Sequence, residues 1–405
     1  MKSFVLSALA GFACLTSGAR ADSAADLTAL LAQASNNVLA QLQADEAALA
    51  KRGIQASCTI NNIAIRQEFG SLSPAQRKSY TDAVLCLQNK TALTPTSLVP
   101  GVRSRQHIRI RLSSSTTVER SSDGTEITSG NMSKLSATSA ATQVTNQFVS
   151  LQTSLQIEAN YPQYWDWSKW ANAPQDSPIF DGSAYSMGDR GEYIPGHPGL
   201  TLAPPAGSSN PTIYLPPGYG GGCVQTGPFS NMTVNLGPIG LSTGVPGPDG
   251  GFGYNPRCLK RDVGPYPSQK WCNYTRIFEL MIDTPTIFDF QNNLEGPPGS
   301  GDLGPHGGGH FTIAGDPGAD IFTSPGDPAF YLHHGQVDRL WTLWQALDPV
   351  NRQYALSGTN TMLNSPPSAN TTLEDYINVG YAAGSPIQMK NVMSTVQGPF
   401  CYIYI

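Results

Sequence analysis

Charge is scarce in this chain of 405 residues. Charged side chains make up 13 %, the net charge is −5, and no basic run stands out. That argues against a nucleic-acid surface, which needs clustered Lys and Arg. Beyond residues 1–21 no segment is long and apolar enough to span a bilayer. There is no CxxC pair of the kind that holds structural zinc. There is also no HExxH, so the usual zinc-hydrolase arrangement with its glutamate base is missing. Histidine is rare as well, six in all, so where those six fall is informative.

Glycine and proline are plentiful, 41 and 32, and they concentrate between Ala171 and Pro267. That stretch is expected to form long irregular loops pinned by Cys223, Cys258 and Cys272, since loops of such length serve a site or need covalent staples. Residues 1–21 read as a secretory signal peptide. Lys2 supplies the positive start, Phe4 to Leu15 the apolar run, and Ala19-Arg20-Ala21 the small-x-small cleavage site. Export places the six cysteines beyond Cys14 in an oxidising compartment, where an even count favours disulfides over thiolate metal ligands. Sequons at Asn89, Asn131, Asn231, Asn273 and Asn370 fit a secreted glycoprotein.

Residues 22–54 form an N-terminal helical segment by the spacing of Leu27, Leu31, Ala34, Val38 and Leu42. It is either a pro-segment or the edge of the domain; Lys51-Arg52 could be a processing site or simply a solvated helix end. Ser73-Pro74 with Gln76 predicts a capping-box start for a helix that runs through Tyr80, Val84 and Leu87. Residues 106–160 are rich in Ser and Thr, poor in apolar side chains, and weakly ordered by composition. YPQYWDWSKW follows abruptly as an aromatic wall, and residues 273–292 return to helical spacing.

Four histidines fall between Asp302 and Trp344: His306, His310, His333 and His334. Positions four apart share a helix face, and imidazole suits copper, zinc and iron. Three glycines separate His306 from His310 and cost the helix about 3 kcal/mol against alanine. A structural metal can contribute on the order of 10 kcal/mol. Spacing alone therefore leaves open a metal-held turn or a flexible loop. DPAFYLHHGQVDRLW reads more firmly as a helix, with Asp327 as cap and Pro328 at its first position. His334 and Asp338 share one face of it.

DPAFYLHHGQVDRLW closely resembles the second copper half-site of the tyrosinases and catechol oxidases, the type-3 copper polyphenol oxidases. HGGGHF stands where that family has its HxxxH pair. CTINNIAIRQEFGSLSPAQRKSYTDAVLCLQ, YPQYWDWSKW and YNPRCLKRD resemble its short secreted fungal members. The resemblance implies a mainly α domain over residues 55–405, with a four-helix bundle around two copper ions and disulfide-pinned loops outside. It implies His306, His310 and His334 as ligands of the second copper, with His333 as a neighbour that does not ligate. Asp338 would orient an imidazole or hold the helix through Arg339, and Phe311 would form a wall or gate over the metal. Gly307 follows the first ligand at a position that in the family influences phenol hydroxylation. Having no side chain to position a base water, it leans toward diphenol oxidation.

The implied activity is oxidation of small phenols, above all o-diphenols, to o-quinones with dioxygen. No nucleic acid or membrane takes part. One departure cuts across this expectation. Between Arg105 and Tyr161 the family carries HxxxxxHxxxxFLxWHRxF, and this chain has only His107 there. The flanks resume the family pattern on both sides, which points to a mis-spliced reading more than to an evolved insertion. The alternative expectation is an inactive or single-metal secreted paralogue, with Trp165, Trp167 and Phe330 left more exposed than the family allows.

Overall fold

The computed structural model describes residues 24–103, 163–203, 211–239, 245–297, 299–320, 322–360, 364, 367–377, 381 and 386–405. The signal segment, residues 106–160 with His107, and the Asn131 sequon lie outside the described residues. The described part is mainly α, as expected. Helix α1 spans Ala24–Lys51 and buries Leu27, Leu31, Ala34, Val38 and Leu42 along one stripe. Removing each large member of that stripe from water contributes roughly 1.5–3 kcal/mol. Helix α2 spans Pro74–Gln88, and its start is the expected capping box: Ser73 accepts from the Gln76 N–H while the Gln76 side chain returns to Ser73.

The helical spacing over residues 273–292 resolves into two helices, preceded by a shorter one. Helix α3 spans Pro265–Trp271, α4 spans Tyr274–Ile282 and α5 spans Ile287–Glu295. The break falls where Pro285 removes a backbone donor and Thr286 caps the next helix through the Asp289 N–H. Helix α6 spans Gly304–Ile313 and α7 spans Ala329–Leu347. A last turn, α8, covers Pro349–Arg352. Helix α7 is the axis of the fold. Almost every side chain on it is buried, and it is flanked by α1 and α6.

Among the described residues strands are few and paired only two by two. Strand β1 (Ala64–Arg66) lies parallel to β8 (Tyr402–Tyr404), joining the two ends of the domain. Strands β2 (Leu200–Leu202) and β3 (Ile213–Leu215), β4 (Thr233–Val234) and β5 (Arg257–Cys258), and β6 (Tyr376–Ile377) and β7 (Ile387–Gln388) are short antiparallel pairs. Among the described residues between 171 and 264 the chain is otherwise loop and short 3-10 turns, Pro174–Asp176 and Pro248–Gly251, as its Gly/Pro content predicts. One staple there is the Cys223–Cys258 disulfide, and a second disulfide joins Cys58 to Cys401.

Two expectations are corrected. Cys86 and Cys272 are free thiols. Cys272 is fully buried beneath α6, where it donates to the Pro305 carbonyl and burial pushes its thiol pKa up. The aromatic wall is not exposed either: Trp165, Trp167 and Phe330 are all buried. Trp165 meets Phe180 edge-on at 5.3 Å, and Trp167 lies 5.1 Å from the His333 ring. These packings come from the loop region and from α7 itself.

Candidate metal centre

Helix α6 would be a poor helix in isolation, with three glycines in a row. Its packing explains them. A Cβ on Gly308 would stand 2.7 Å from Trp271 and 2.8 Å from the Cys272 sulfur. A Cβ on Gly309 would stand 2.3 Å from the His333 ring. Glycine lets α6 lie directly against α3 on one side and against His333 of α7 on the other. His306 and His310, one turn apart, then point into the space in front of His334.

The result is a cluster of four imidazoles whose nearest ring nitrogens all lie within 4.8 Å of one another. Within it, His310 Nε2 is 3.2 Å from His306 Nε2 and 3.2 Å from His334 Nε2. Burial holds His310 and His334 well below the ordinary histidine pKa, and the facing imidazoles lower them further. Burial does the same for His333, reinforced by its three histidine neighbours. These rings are therefore neutral near pH 7 and carry free lone pairs.

The outer nitrogens are partly fixed. His306 Nδ1 lies 2.9 Å from Glu295 Oε2 at the end of α5. A carboxylate there holds the proton on Nδ1 and turns the lone pair of Nε2 inward. His310 is held by a hydrogen bond to the Gly318 backbone. Phe330 stacks on the His334 ring at 3.9 Å, a fixed apolar wall behind it. His333 is fully buried and neither ring nitrogen has a partner.

The other expected site residues fall as follows. Gly307 sits on α6 with only Leu303 near the place of a Cβ. Phe311, next to His310, is half-buried against the core. Asp338 does not take the expected place behind an imidazole. Its carboxylate accepts from Arg66 at 3.1 Å, from Tyr402 at 2.9 Å and from Tyr404, so it ties α7 to β1 and β8. Arg339 faces Asp166 instead, at 3.6 Å. Sequence reasoning missed Glu295 and the stacking role of Phe330. Glu295 carries no motif, but as the last residue of α5 it closes a helix that ends beside the start of α6.

Three imidazoles converging through Nε2, with a carboxylate and a backbone group behind two of them, suit one copper ion. Among the described residues His333 is the fourth member of the cluster, fully buried behind them. His197 lies outside the cluster, 3.0 Å from Asp262 and 2.7 Å from the Ile194 carbonyl.

The fold and this imidazole set define a helical metalloprotein. Residues 115–347 match the family model described as the common central domain of tyrosinase. The chain is 35 % identical to Tyrosinase P of Aspergillus terreus over 347 residues, covering 84 % of this chain and 91 % of that protein. It is 37 % identical to the tyrosinase-like protein orsC of Emericella nidulans over 336 residues, covering 78 % and 83 %. A solved polyphenol oxidase, the G292N mutant from Thermothelomyces thermophila, superimposes with a TM-score of 0.81 at 41 % identity, covering 96 % of this chain and 100 % of its own. The chain belongs to the tyrosinase family of copper oxidoreductases. The family match begins at residue 115 and so includes most of the stretch in which no first-site histidine pattern is legible.

Proposed function

We propose that this protein oxidises o-diphenols to o-quinones with dioxygen, at copper held by His306, His310 and His334. The observation that carries the reading is that His310 Nε2 lies 3.2 Å from both His306 Nε2 and His334 Nε2. Overall, two diphenols and one dioxygen become two quinones and two waters. Copper supplies the one-electron redox steps and the affinity for dioxygen that side chains lack. The protein supplies the rest. Burial keeps His310 and His334 neutral, Glu295 orients His306, the Gly318 backbone orients His310, and Phe330 fixes the plane of His334. Phe311 walls the approach to the metal. Gly307 offers no side chain to hold a base water, which favours diphenols over monophenols. The export signal and sequons support secretion of a glycosylated protein.

A second reading has its own observation. The four-histidine cluster is the one group of this kind among the described residues, and the family's first-site pattern is missing between Arg105 and Tyr161. A chain with a single copper would turn over catechol poorly. Metal analysis of the purified protein, with oxygen uptake on catechol and on a monophenol, separates the readings. Two coppers per chain with brisk catechol oxidation support the first. One copper with weak turnover supports the second. A protein that takes up no copper refutes both.

A further inference from the structure

The sequence carries two Lys-Arg pairs, Lys51-Arg52 and Lys260-Arg261, and the fold treats them in opposite ways. Lys51 and Arg52 close α1 and are exposed, as are Gly53, Ile54 and Gln55 after them. Gly53 turns left-handed at φ +72°, with nothing within 4 Å of the place of a Cβ. From Gln43 to Gln55 no residue is buried, so the end of α1 can fray without exposing core. Three backbone bonds hold the turn, from Arg52 and Ile54 to the Leu49 carbonyl and from Gly53 to the Ala50 carbonyl. Loop tips and helix ends of this kind are where proteases gain an extended chain. Arg261, by contrast, is fully buried and doubly bonded to Asp327, and Lys260 exchanges backbone bonds with Asp316.

We propose that Lys51-Arg52 is a processing site for a Lys-Arg-specific endoprotease, and that α1 stays docked after the cut. Water adds across the Arg52–Gly53 peptide bond, leaving a carboxylate on Arg52 and an amine on Gly53. Retention follows from what lies upstream of the cut. The apolar stripe from Leu27 to Leu42 is buried against the core. Asn37 donates to the Ala346 carbonyl at 2.9 Å, and Asp45 accepts from Gln397 at 2.7 Å. Downstream, the new end is anchored at once by the Cys58–Cys401 disulfide. The processed protein is therefore two polypeptides, with a noncovalently held helix packed along the metal-bearing α7.

The test uses full-length protein secreted from a host that lacks such a protease, then treated natively with a purified Lys-Arg-specific endoprotease. Intact mass should show one cut, between Arg52 and Gly53, with Lys260-Arg261 untouched. Both pieces should coelute on native gel filtration and separate only in denaturant. The double variant Lys51→Gln with Arg52→Gln should be cut at least about tenfold more slowly. The site assignment is overturned if native protein resists while a linear peptide of residues 46–58 is cut, or if Lys260-Arg261 is cut as fast. Loss of the α1 piece on native gel filtration overturns the retained helix.

Discussion

One hydrogen bond decides how His306 faces a metal. Glu295 Oε2 lies 2.9 Å from its Nδ1, which leaves Nε2 as the free donor. Supporting carboxylates of this kind are worth about 10- to 100-fold in metal affinity. Glu295→Ala is therefore expected to weaken copper binding by about that factor while leaving the thermal midpoint of the metal-free protein nearly unchanged. Chelator competition reads the first quantity and calorimetry the second; unchanged affinity would remove Glu295 from the site. A second expectation concerns protons. In the folded protein His310, His333 and His334 titrate well below 6.5, through burial first and neighbouring imidazoles second. In the unfolded chain they titrate near 6.5. Below that value the unfolded chain binds more protons, so stability rises with pH through this window and is lost as pH falls beneath about 6.5. Urea midpoints of metal-free protein should be lower at about pH 5.5 than at about pH 7.5, and His333→Phe should flatten the difference. At this scale the clustering of His306, His310 and His334 was legible because a long motif carried them. Glu295 was not, because its partner is 11 residues away across a helix break that no pattern marks.

At the scale of the element, α6 shows why helix propensity misleads. Its composition speaks for a loop, yet Gly304–Ile313 is helical because its neighbours leave no room for side chains on one face. The three central glycines are not equivalent. Gly309 would drive a Cβ into the buried His333 ring at 2.3 Å, whereas Gly307 meets only Leu303 at 3.0 Å. Gly309→Ala is expected to cost about 1–3 kcal/mol, as overpacking of a rigid core does. Gly307→Ala gains about 0.8–1 kcal/mol of helix propensity against a contact that one flexible leucine can relax. Denaturant midpoints of the two variants should fall on opposite sides of, or at least well apart about, the parent value. Equal midpoints would mean that α6 does not pack as described. Helices α1, α2 and α7 were legible from apolar spacing and caps. The division of α4 from α5 was signalled only by Pro285 and Thr286, inside an otherwise continuous apolar rhythm.

At the scale of the whole molecule, the two ends of the domain are fastened to the back of α7, the helix that carries His333 and His334. Strands β1 and β8 pair in parallel, Cys58 is joined to Cys401 across 343 residues, and Arg66, Tyr402 and Tyr404 all bond Asp338. None of this was legible beforehand. Local patterns do not report which distant strands pair, and an even cysteine count does not say which thiols meet. The knot is also why Asp338, read as a helper of an imidazole, turns out to serve the fold. Arg66 is buried with its guanidinium 3.2 Å above the Tyr402 ring, and Asp338 is the carboxylate that balances its charge. Removing one partner of a buried pair strands the other at a cost of about 3–5 kcal/mol. Opening the disulfide acts mainly on the unfolded chain, at roughly 2–5 kcal/mol. Asp338→Ala and the Cys58→Ser, Cys401→Ser double variant are thus expected to lose similar amounts of stability by different routes. The first should loosen α7 itself and lower copper affinity alongside the melting temperature. The second should lower the melting temperature while the folded protein binds copper as before. If losing the disulfide weakens copper binding as much as losing Asp338 does, the chain ends and α7 form one cooperative unit rather than two separable ones.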